Sequence, residues 1–305
     1  MVTRDRGQLI LVGAVAIALV LLGLVLVVNT ALFTQVVGSE GTVETAKDGA
    51  ISGQEVGEAI ASSARSLNDD YGQTASSKNN TLDTNTIPNL EPILQNRSME
   101  SGGAFVSVNY DSINESGTFV SQNQSSGFTS VAGNPTWQPI PLGQEGDIGG
   151  FLMTIDYAAS GTGDPFTVYV DSVGGPNRSL TITPESGSEV AISTSTGTTC
   201  SDVPVTSNTV RIDVTHGVVF EDHSCQFDLF AGTNPGYVMT FTGGDEVAGT
   251  YQFVTDSDLT SYPAYGAAGS QPTPTEAVWS FEYSFTYDTP GATVESESRV
   301  IDVYD

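Results

Sequence analysis

The sequence predicts a mainly β protein in which a long N-terminal transmembrane and stalk helix precedes an antiparallel β-sandwich head. Three patterns support this: an uncharged apolar run, a stripe of small and apolar residues at helical spacing, and rows of alternating apolar residues after Ala104. No helical pattern separates the rows, which excludes a doubly wound parallel sheet. The predicted divisions are a cytoplasmic leader (1–7), a transmembrane helix (8–37), a helical stalk (38–71), a polar connector (72–103) and an extracellular β-sandwich domain (104–305).

The apolar run extends from Leu9 to Val28 without a charge. At about 1.5 Å per residue it spans roughly 30 Å, the thickness of a bilayer's hydrocarbon core. Arg4 and Arg6 precede it and acidic residues follow, so the positive-inside rule predicts a single-pass cell-membrane protein with a cytoplasmic N-terminus and an extracellular C-terminal domain. The expected partner is the lipid bilayer, through residues 9–33. A cleaved secretory signal is the alternative, but the run is longer than a usual signal core.

The residues directly before this run carry a resemblance. Arg6, Gly7, Gln8 and Leu9 resemble the recognition site of archaeal prepilin peptidases, and the first 40 residues resemble the N-termini of haloarchaeal pilin-like membrane proteins, relatives of archaeal type IV pilins. The resemblance implies cleavage after Gly7 and, as partners, a prepilin peptidase and other pilin-like subunits. Val12 stands where many type IV pilins carry a glutamate, which leaves filament assembly open.

The segment after the run shows helical spacing and then loses it. Small and apolar residues recur at steps of three and four, which predicts an amphipathic stalk helix. Three glycines weaken that helix, by up to about 1 kcal/mol each relative to alanine. Residues 72–103 are rich in Ser, Asn, Thr and Gln and contain Pro88 and Pro92, so they are interpreted as a connector. The stripe comprises Val43, Ala46, Ala50, Gly53, Val56, Ile60, Ala64 and Leu67, and the glycines are Gly49, Gly53 and Gly57.

Rows of alternating apolar residues predict the strands of the head. Successive side chains of a strand point to opposite faces, so each row places one face on a core. Turns rich in Gly, Pro, Ser and Asn favour antiparallel sheets packed as one sandwich with long loops. The rows are Phe151-Met153-Ile155-Tyr157, Phe166-Val168-Val170, Val210-Ile212-Val214, Tyr237-Met239-Phe241 and Trp279-Phe281-Tyr283-Phe285-Tyr287.

Composition restricts the function. With 36 acidic and 9 basic residues the formal net charge is −27, and only two of the basic residues, Lys47 and Lys78, are lysines. Nucleic-acid binding needs clustered Lys and Arg, so no nucleic-acid partner is expected. A dense carboxylate surface with almost no lysine also indicates a halophilic source, because high salt screens the repulsion between the carboxylates; a charged surface that simply keeps the protein soluble is the alternative. The archaeal source is implied by the resemblance to haloarchaeal pilin-like proteins.

The two cysteines, Cys200 and Cys225, lie on the predicted exterior, where a disulfide is permitted. Free thiols, or a metal site with the intervening His216 and His223, are the alternatives, although the spacing matches no usual zinc pattern. No phosphate-binding glycine motif in a convincing context and no nucleophile-elbow motif is present. We therefore expect no cofactor, no metal, no catalytic residue and no enzymatic activity.

Five N-glycosylation sequons are present, and four of them fall within residues 79–125. This clustering predicts an exposed, glycan-bearing region of a cell-surface protein. The asparagines are Asn79, Asn96, Asn114, Asn123 and Asn177.

Together these patterns predict a single-pass, pilin-like structural protein of the cell surface, as a minor pilus subunit or a filament-associated protein of a halophilic archaeon. The alternative is a membrane-tethered extracellular binding or adhesion module that does not polymerise, with its ligand bound by sandwich loops. A surface hydrolase using His216 or His223 is a third interpretation that no sequence feature supports.

Overall fold

The computed structural model describes residues 47–70, 73–161, 163–267, 269–290 and 293–304. The predicted leader, the residues of the peptidase-like site, the apolar run, and Val43 and Ala46 of the stalk stripe lie outside these residues.

A helical layer comes first in the described chain. Thr74 caps the second helix, where its side-chain oxygen accepts a hydrogen bond from the backbone N–H of Ser77. The third helix ends at Gly103, whose φ of 67° is the left-handed conformation common after helix ends. The helices are α1 (47–68), α2 (Ala75–Thr81) and α3 (Ile87–Gly102), with a π-helical stretch at Leu82–Thr86 between the last two.

From residue 73 to residue 103 the chain is therefore helical for most of its length, rather than the predicted connector of residues 72–103. Leu82 and Ile87 are buried against the large sheet, so a few apolar side chains stabilise a polar segment once a sheet covers them. Pro88 falls in the first turn of α3, where the fixed φ of proline is compatible with the helix.

Two antiparallel sheets follow. The large sheet has the order β13-β12-β1-β11-β3-β8-β9, with β14 also paired to β12; the small sheet has the order β2-β10-β4-β5-β6-β7. The strands are β1 (Phe105–Gly127), β2 (Trp137–Ile140), β3 (Ile148–Asp156), β4 (Phe166–Ser172), β5 (Arg178–Glu185), β6 (Glu189–Thr194), β7 (Thr199–Pro204), β8 (Thr209–Asp213), β9 (Val218–Val219), β10 (Tyr237–Thr242), β11 (Ala248–Thr255), β12 (Thr273–Asp288), β13 (Thr293–Glu295) and β14 (Arg299–Asp302).

The two sheets enclose one hydrophobic core, which we call the sandwich core. Phe241 of β10 lies at its centre, stacked on Phe151 of β3 at 6.2 Å and edge-on to Phe166 of β4 at 5.2 Å between ring centroids. Aromatic pairs in these geometries add stabilisation beyond the area that they bury. The predicted mainly β, antiparallel architecture is confirmed in this part of the chain.

A second core lies between the helical layer and the large sheet, and we call it the helix-covered core. Val56 and Ile60 of α1 are fully buried there against Phe281 and Tyr283 of β12. The N-terminal half of β1 contributes Val106 to it, while Val120 further along the same strand belongs to the sandwich core. One long strand thus takes part in both cores.

The predicted transmembrane helix requires a correction. Within the described ranges, no helix is long and apolar enough to cross a membrane. α1 is amphipathic instead, because its small and apolar face is covered by β12 while Asp48, Glu55 and Glu58 are exposed. The fold class with a long N-terminal apolar helix, the single-pass localisation and the membrane and pilin-like assignments are therefore unsupported.

The aromatic row of β12 also differs from its prediction at one end. The alternation predicts Trp279 on the same face as Phe281. In the structure, however, Glu115 of β1 pairs with Ser280 and the next residue, Ser116, pairs with Val278, so the register shifts here. Trp279 therefore has no pairing residue on β1 at this β-bulge, and its ring packs on that of Tyr304 at 5.5 Å between centroids. A bulge inserts one residue into the strand, so the alternation changes phase there.

Candidate functional site

A second β-bulge interrupts β1 where it pairs with β11. Gln122 pairs with Tyr251 and the next pair is Ser126 with Gly249, so three residues of β1 stand opposite Thr250 alone. The buried Gln122 side chain bridges the interruption, since its Nε2 donates to the carbonyl oxygens of Ser126 at 3.0 Å and Gly249 at 3.1 Å. The extra residues 123–125 are exposed, and the amide of Gln122 holds the backbone beneath them.

Beside the bulge, the outer face of the large sheet forms a depression of about 270 Å³. Leu152 stands directly opposite Gln252, and Thr154 opposite Thr250, so these side chains share one face. Leu152 is 38% exposed, although neighbouring residues of the same strand are buried in the sandwich core. Amides, hydroxyls and one aliphatic side chain therefore line this depression, and none of its described lining residues is charged.

Asn123 of the bulge also borders a larger depression, of about 520 Å³, on the other side. The backbone N–H of Asn123 donates to Oε1 of Gln271 at 3.0 Å, which fixes the bulge to the segment before β12. Among the described residues that line this depression, Glu276 is the one that is charged, and its Oε2 accepts a hydrogen bond from the N–H of Ala75 at 2.5 Å. The remaining lining consists of Gln73, Thr74, Gln124, Thr260, Gly269, Thr273, Pro274 and Thr275.

At the opposite end, the depression around Leu152 continues into a charged region lined by Arg65, Asp213, His216 and Tyr304. Nδ1 of His216 lies 2.9 Å from Oδ2 of Asp213, and Nε of Arg65 donates to the carbonyl oxygen of Val303 at 2.5 Å. Burial raises the pKa of Tyr304 to about 12, so its phenol is neutral at physiological pH. We call the two depressions that share Asn123, without this charged region, the outer groove.

The sequence-predicted residues occupy other places. Cys200 on β7 and Cys225 in the loop after β9 are joined by a disulfide. β7 and β9 are the last strands of the small and the large sheet, so the bond links the two sheets at one edge of the sandwich. Arg6, Gly7, Gln8 and Leu9 lie outside the described residues.

The two histidines are not brought together with the cysteines as a metal site. The exposed His223 follows Asp222, whose Oδ1 accepts hydrogen bonds from Ser224, and His216 pairs with Asp213. Within the described part, carboxylates with metal-ligand spacing occur at Glu185, Glu189 and Asp202 instead. A cluster of three surface carboxylates is expected by chance in a chain with 36 acidic residues, so we assign these three no function.

The sequon asparagines are spread over the helical layer and both sheets. Asn96, Asn114, Asn123 and Asn177 are exposed. Asn79 is half-buried, and its Oδ1 accepts hydrogen bonds from the hydroxyl of Tyr110 at 2.9 Å and the N–H of Ile113 at 3.0 Å. Asn123 is the sequon that lies at the outer groove.

A family model described as a family of unknown function (DUF7261) matches residues 3–120. This segment includes the helical layer and ends inside β1, just before the bulge. No curated protein and no solved structure matches the chain. The pilin-like resemblance is thus not tested by the comparisons.

Sequence reasoning missed the outer groove, because outward-facing polar residues are expected on any half-buried strand. One signal was available in the run Ser121-Gln122-Asn123-Gln124. Asparagine is depleted in strands, so an amide-rich run within a predicted strand indicates a bulge or a turn. Bulges are over-represented beside functional sites.

Proposed function

We propose that the described part of the chain is a non-catalytic module that binds a neutral polar polymer, of which a neutral glycan is the best match, in the outer groove. The observation that carries the proposal is the charge contrast. The chain has a net charge of −27, yet among the described residues that line the two depressions of the outer groove Glu276 alone is charged.

The groove's chemistry suits such a ligand. Amide side chains such as Gln252 and Asn123 offer both donors and acceptors, as hydroxyl-rich ligands require. Leu152 and Pro274 add small apolar surfaces on which the C–H faces of sugar rings can pack. Pockets of this kind bind through a mostly neutral lining with a few fixed polar groups.

The Cys200–Cys225 disulfide supports a place of action outside a reducing cytoplasm, because disulfides persist in oxidising compartments. Polysaccharides of a cell envelope or extracellular matrix are ligands available in such a compartment.

The test is calorimetric titration of the full chain with neutral polysaccharide fragments and with uronate or sulfated fragments of matched length. We expect binding of a neutral fragment only. Leu152→Asp, which introduces a charge, and Gln252→Ala should each weaken binding about tenfold or more, which corresponds to about 1.4 kcal/mol. Gln226→Ala, at an exposed glutamine outside the groove, is the matched control and should bind like the parent. Absence of neutral-glycan binding, or equal binding by all variants, would refute the proposal.

A further inference from the structure

Lys78, one of two lysines in the chain, is fully buried. Lysine is almost never fully buried unless paired. Its Nζ donates to the carbonyl oxygen of Glu276 at 2.6 Å and lies 3.5 Å from Oδ1 of Asn68. The second distance is at the outer limit for a hydrogen bond. The amine is thus held beside the Asn68 amide without a good hydrogen bond to it.

The Asn68 side chain is also fully buried, and its orientation is fixed. Its Nδ2 donates to the carbonyl oxygen of Val278 at 2.9 Å and to the hydroxyl of Tyr304 at 2.8 Å. Its Oδ1 accepts a hydrogen bond from the N–H of Val278 at 2.8 Å. A backbone donor on a carbonyl oxygen stabilises the negative charge that develops there when a nucleophile attacks the carbon.

The pKa values of the ionisable groups near Lys78 and Asn68 are compatible with this arrangement. Burial lowers the pKa of Lys78 to about 8, although the carboxylates of Asp70, Asp69 and Glu276 favour its charged form. About a tenth of the amine is then neutral at pH 7. Partial burial raises the pKa of Asp69, while the charge of Lys78 acts to lower it.

We propose that Lys78 and Asn68 form an intramolecular isopeptide bond. The neutral Nζ of Lys78 attacks Cγ of Asn68, and the oxyanion at Oδ1 is held by the N–H of Val278. The Cγ–Nδ2 bond then breaks as one proton moves from Nζ to Nδ2. The products are a secondary amide between the two side chains and one molecule of ammonia, so no oxidant or other reactant is needed. Placement of the two groups in one buried site supplies the effective concentration for the reaction.

The bond has a mass and a digestion signature that a hydrogen bond lacks. The full chain is produced in a host that adds no N-glycans, then denatured, reduced and digested with trypsin. Trypsin cuts after Arg65, Lys78 and Arg97, and both reacting residues lie between the outer two sites. We expect a single peptide 66–97, uncut after Lys78 and lighter by the mass of one ammonia. Cleavage after Lys78 with full mass would overturn the proposal.

Variants assign the roles. Lys78→Met and Asn68→Ala should each retain the full mass, apart from the substitution, even after denaturation. Asn109→Ala, at an exposed asparagine, is the matched control and should still lose ammonia. The readout is independent of the proposed glycan binding.

Discussion

The phenolic hydroxyl of Tyr283 on β12 donates a hydrogen bond of 2.6 Å to the backbone carbonyl oxygen of Gly53 on α1. This contact requires the helix backbone to lie close to the strand. Glycines at intervals of four make that approach possible, since Gly49 faces Val294, Gly53 faces Phe285 and Gly57 faces Tyr283. Glycine lowers the helix propensity at these positions, but it allows α1 to pack closely on β12.

Gly53→Ala should destabilise the protein. A methyl group there would overlap the ring of Phe285, and overpacking typically costs about 1–3 kcal/mol, more than the roughly 1 kcal/mol that alanine gains in helix propensity. Urea denaturation would measure the free energy of unfolding. Ser62→Ala, at an exposed position of α1, is the control and should be neutral or slightly stabilising. A Gly53→Ala protein as stable as the parent would contradict the close approach.

Two buried tyrosines should respond oppositely to loss of their hydroxyls. The Tyr251 hydroxyl is buried with no hydrogen-bond partner among the described residues, whereas Tyr265 donates to the carbonyl oxygen of Pro139 at 2.5 Å. Tyr251→Phe should therefore raise the free energy of unfolding at neutral pH by about 1 kcal/mol, and Tyr265→Phe should lower it by a similar amount. Chemical denaturation of both variants at pH 7 tests this, and equal signs would contradict it.

Stability should fall at alkaline pH. Burial raises the pKa values of Tyr251 and Tyr265 well above 10.0, the value of an unperturbed tyrosine. Above pH 10 these phenols ionise in the unfolded chain but not in the folded one, so stability is lost as the pH rises. In each phenylalanine variant, the urea midpoint of unfolding should fall less steeply with pH above pH 10 than it does in the parent. If the urea midpoints of both variants fell as steeply as that of the parent, the raised pKa values of these two tyrosines would be contradicted.

Reduction of the Cys200–Cys225 disulfide should destabilise the sandwich by about 3 kcal/mol, because the bond closes a loop with a sequence separation of 25. Thermal unfolding with and without a reductant measures the effect. The Cys200→Ser, Cys225→Ser double variant should melt like the reduced parent and should not respond to the reductant. An unchanged melting temperature on reduction would show that the linked edges are held together by packing alone.

Salt should stabilise the fold. With a net charge of −27, the folded surface repels itself at low ionic strength, and about 1 M salt reduces the screening length to about 3 Å. The melting temperature should therefore rise steeply between low salt and about 1 M sodium chloride. Sucrose at equal osmolality is the control for nonspecific exclusion. A rise of the same size in sucrose would argue against charge screening.

Much of the sandwich could be predicted from the sequence. Phe151 and Met153, and likewise Val210 and Ile212, are buried as their alternation indicates, because a strand between core and solvent leaves a period of two. Trp279 departs from its row because a bulge depends on cross-strand register, and residues far apart in the chain set that register.

The helical layer was harder to predict. The segment around Leu82 and Ile87 is polar, and its helices depend on a sheet surface that forms from distant residues. The outer groove has the same origin, since Asn123 from β1, Leu152 from β3 and Gln271 before β12 meet only through the sheet order. Local patterns report burial along one strand, whereas sites depend on which strands are neighbours.

The large number of residues between α1 and β12 in the chain has a consequence for biosynthesis. Gly53 and Tyr283 are 230 residues apart in the chain, so the apolar face of α1 is translated long before the strand that covers it. Such non-local contacts form late and slow folding. Residues 47–120 therefore cannot complete their core until β12 has been translated, and until then their apolar surface needs protection from aggregation.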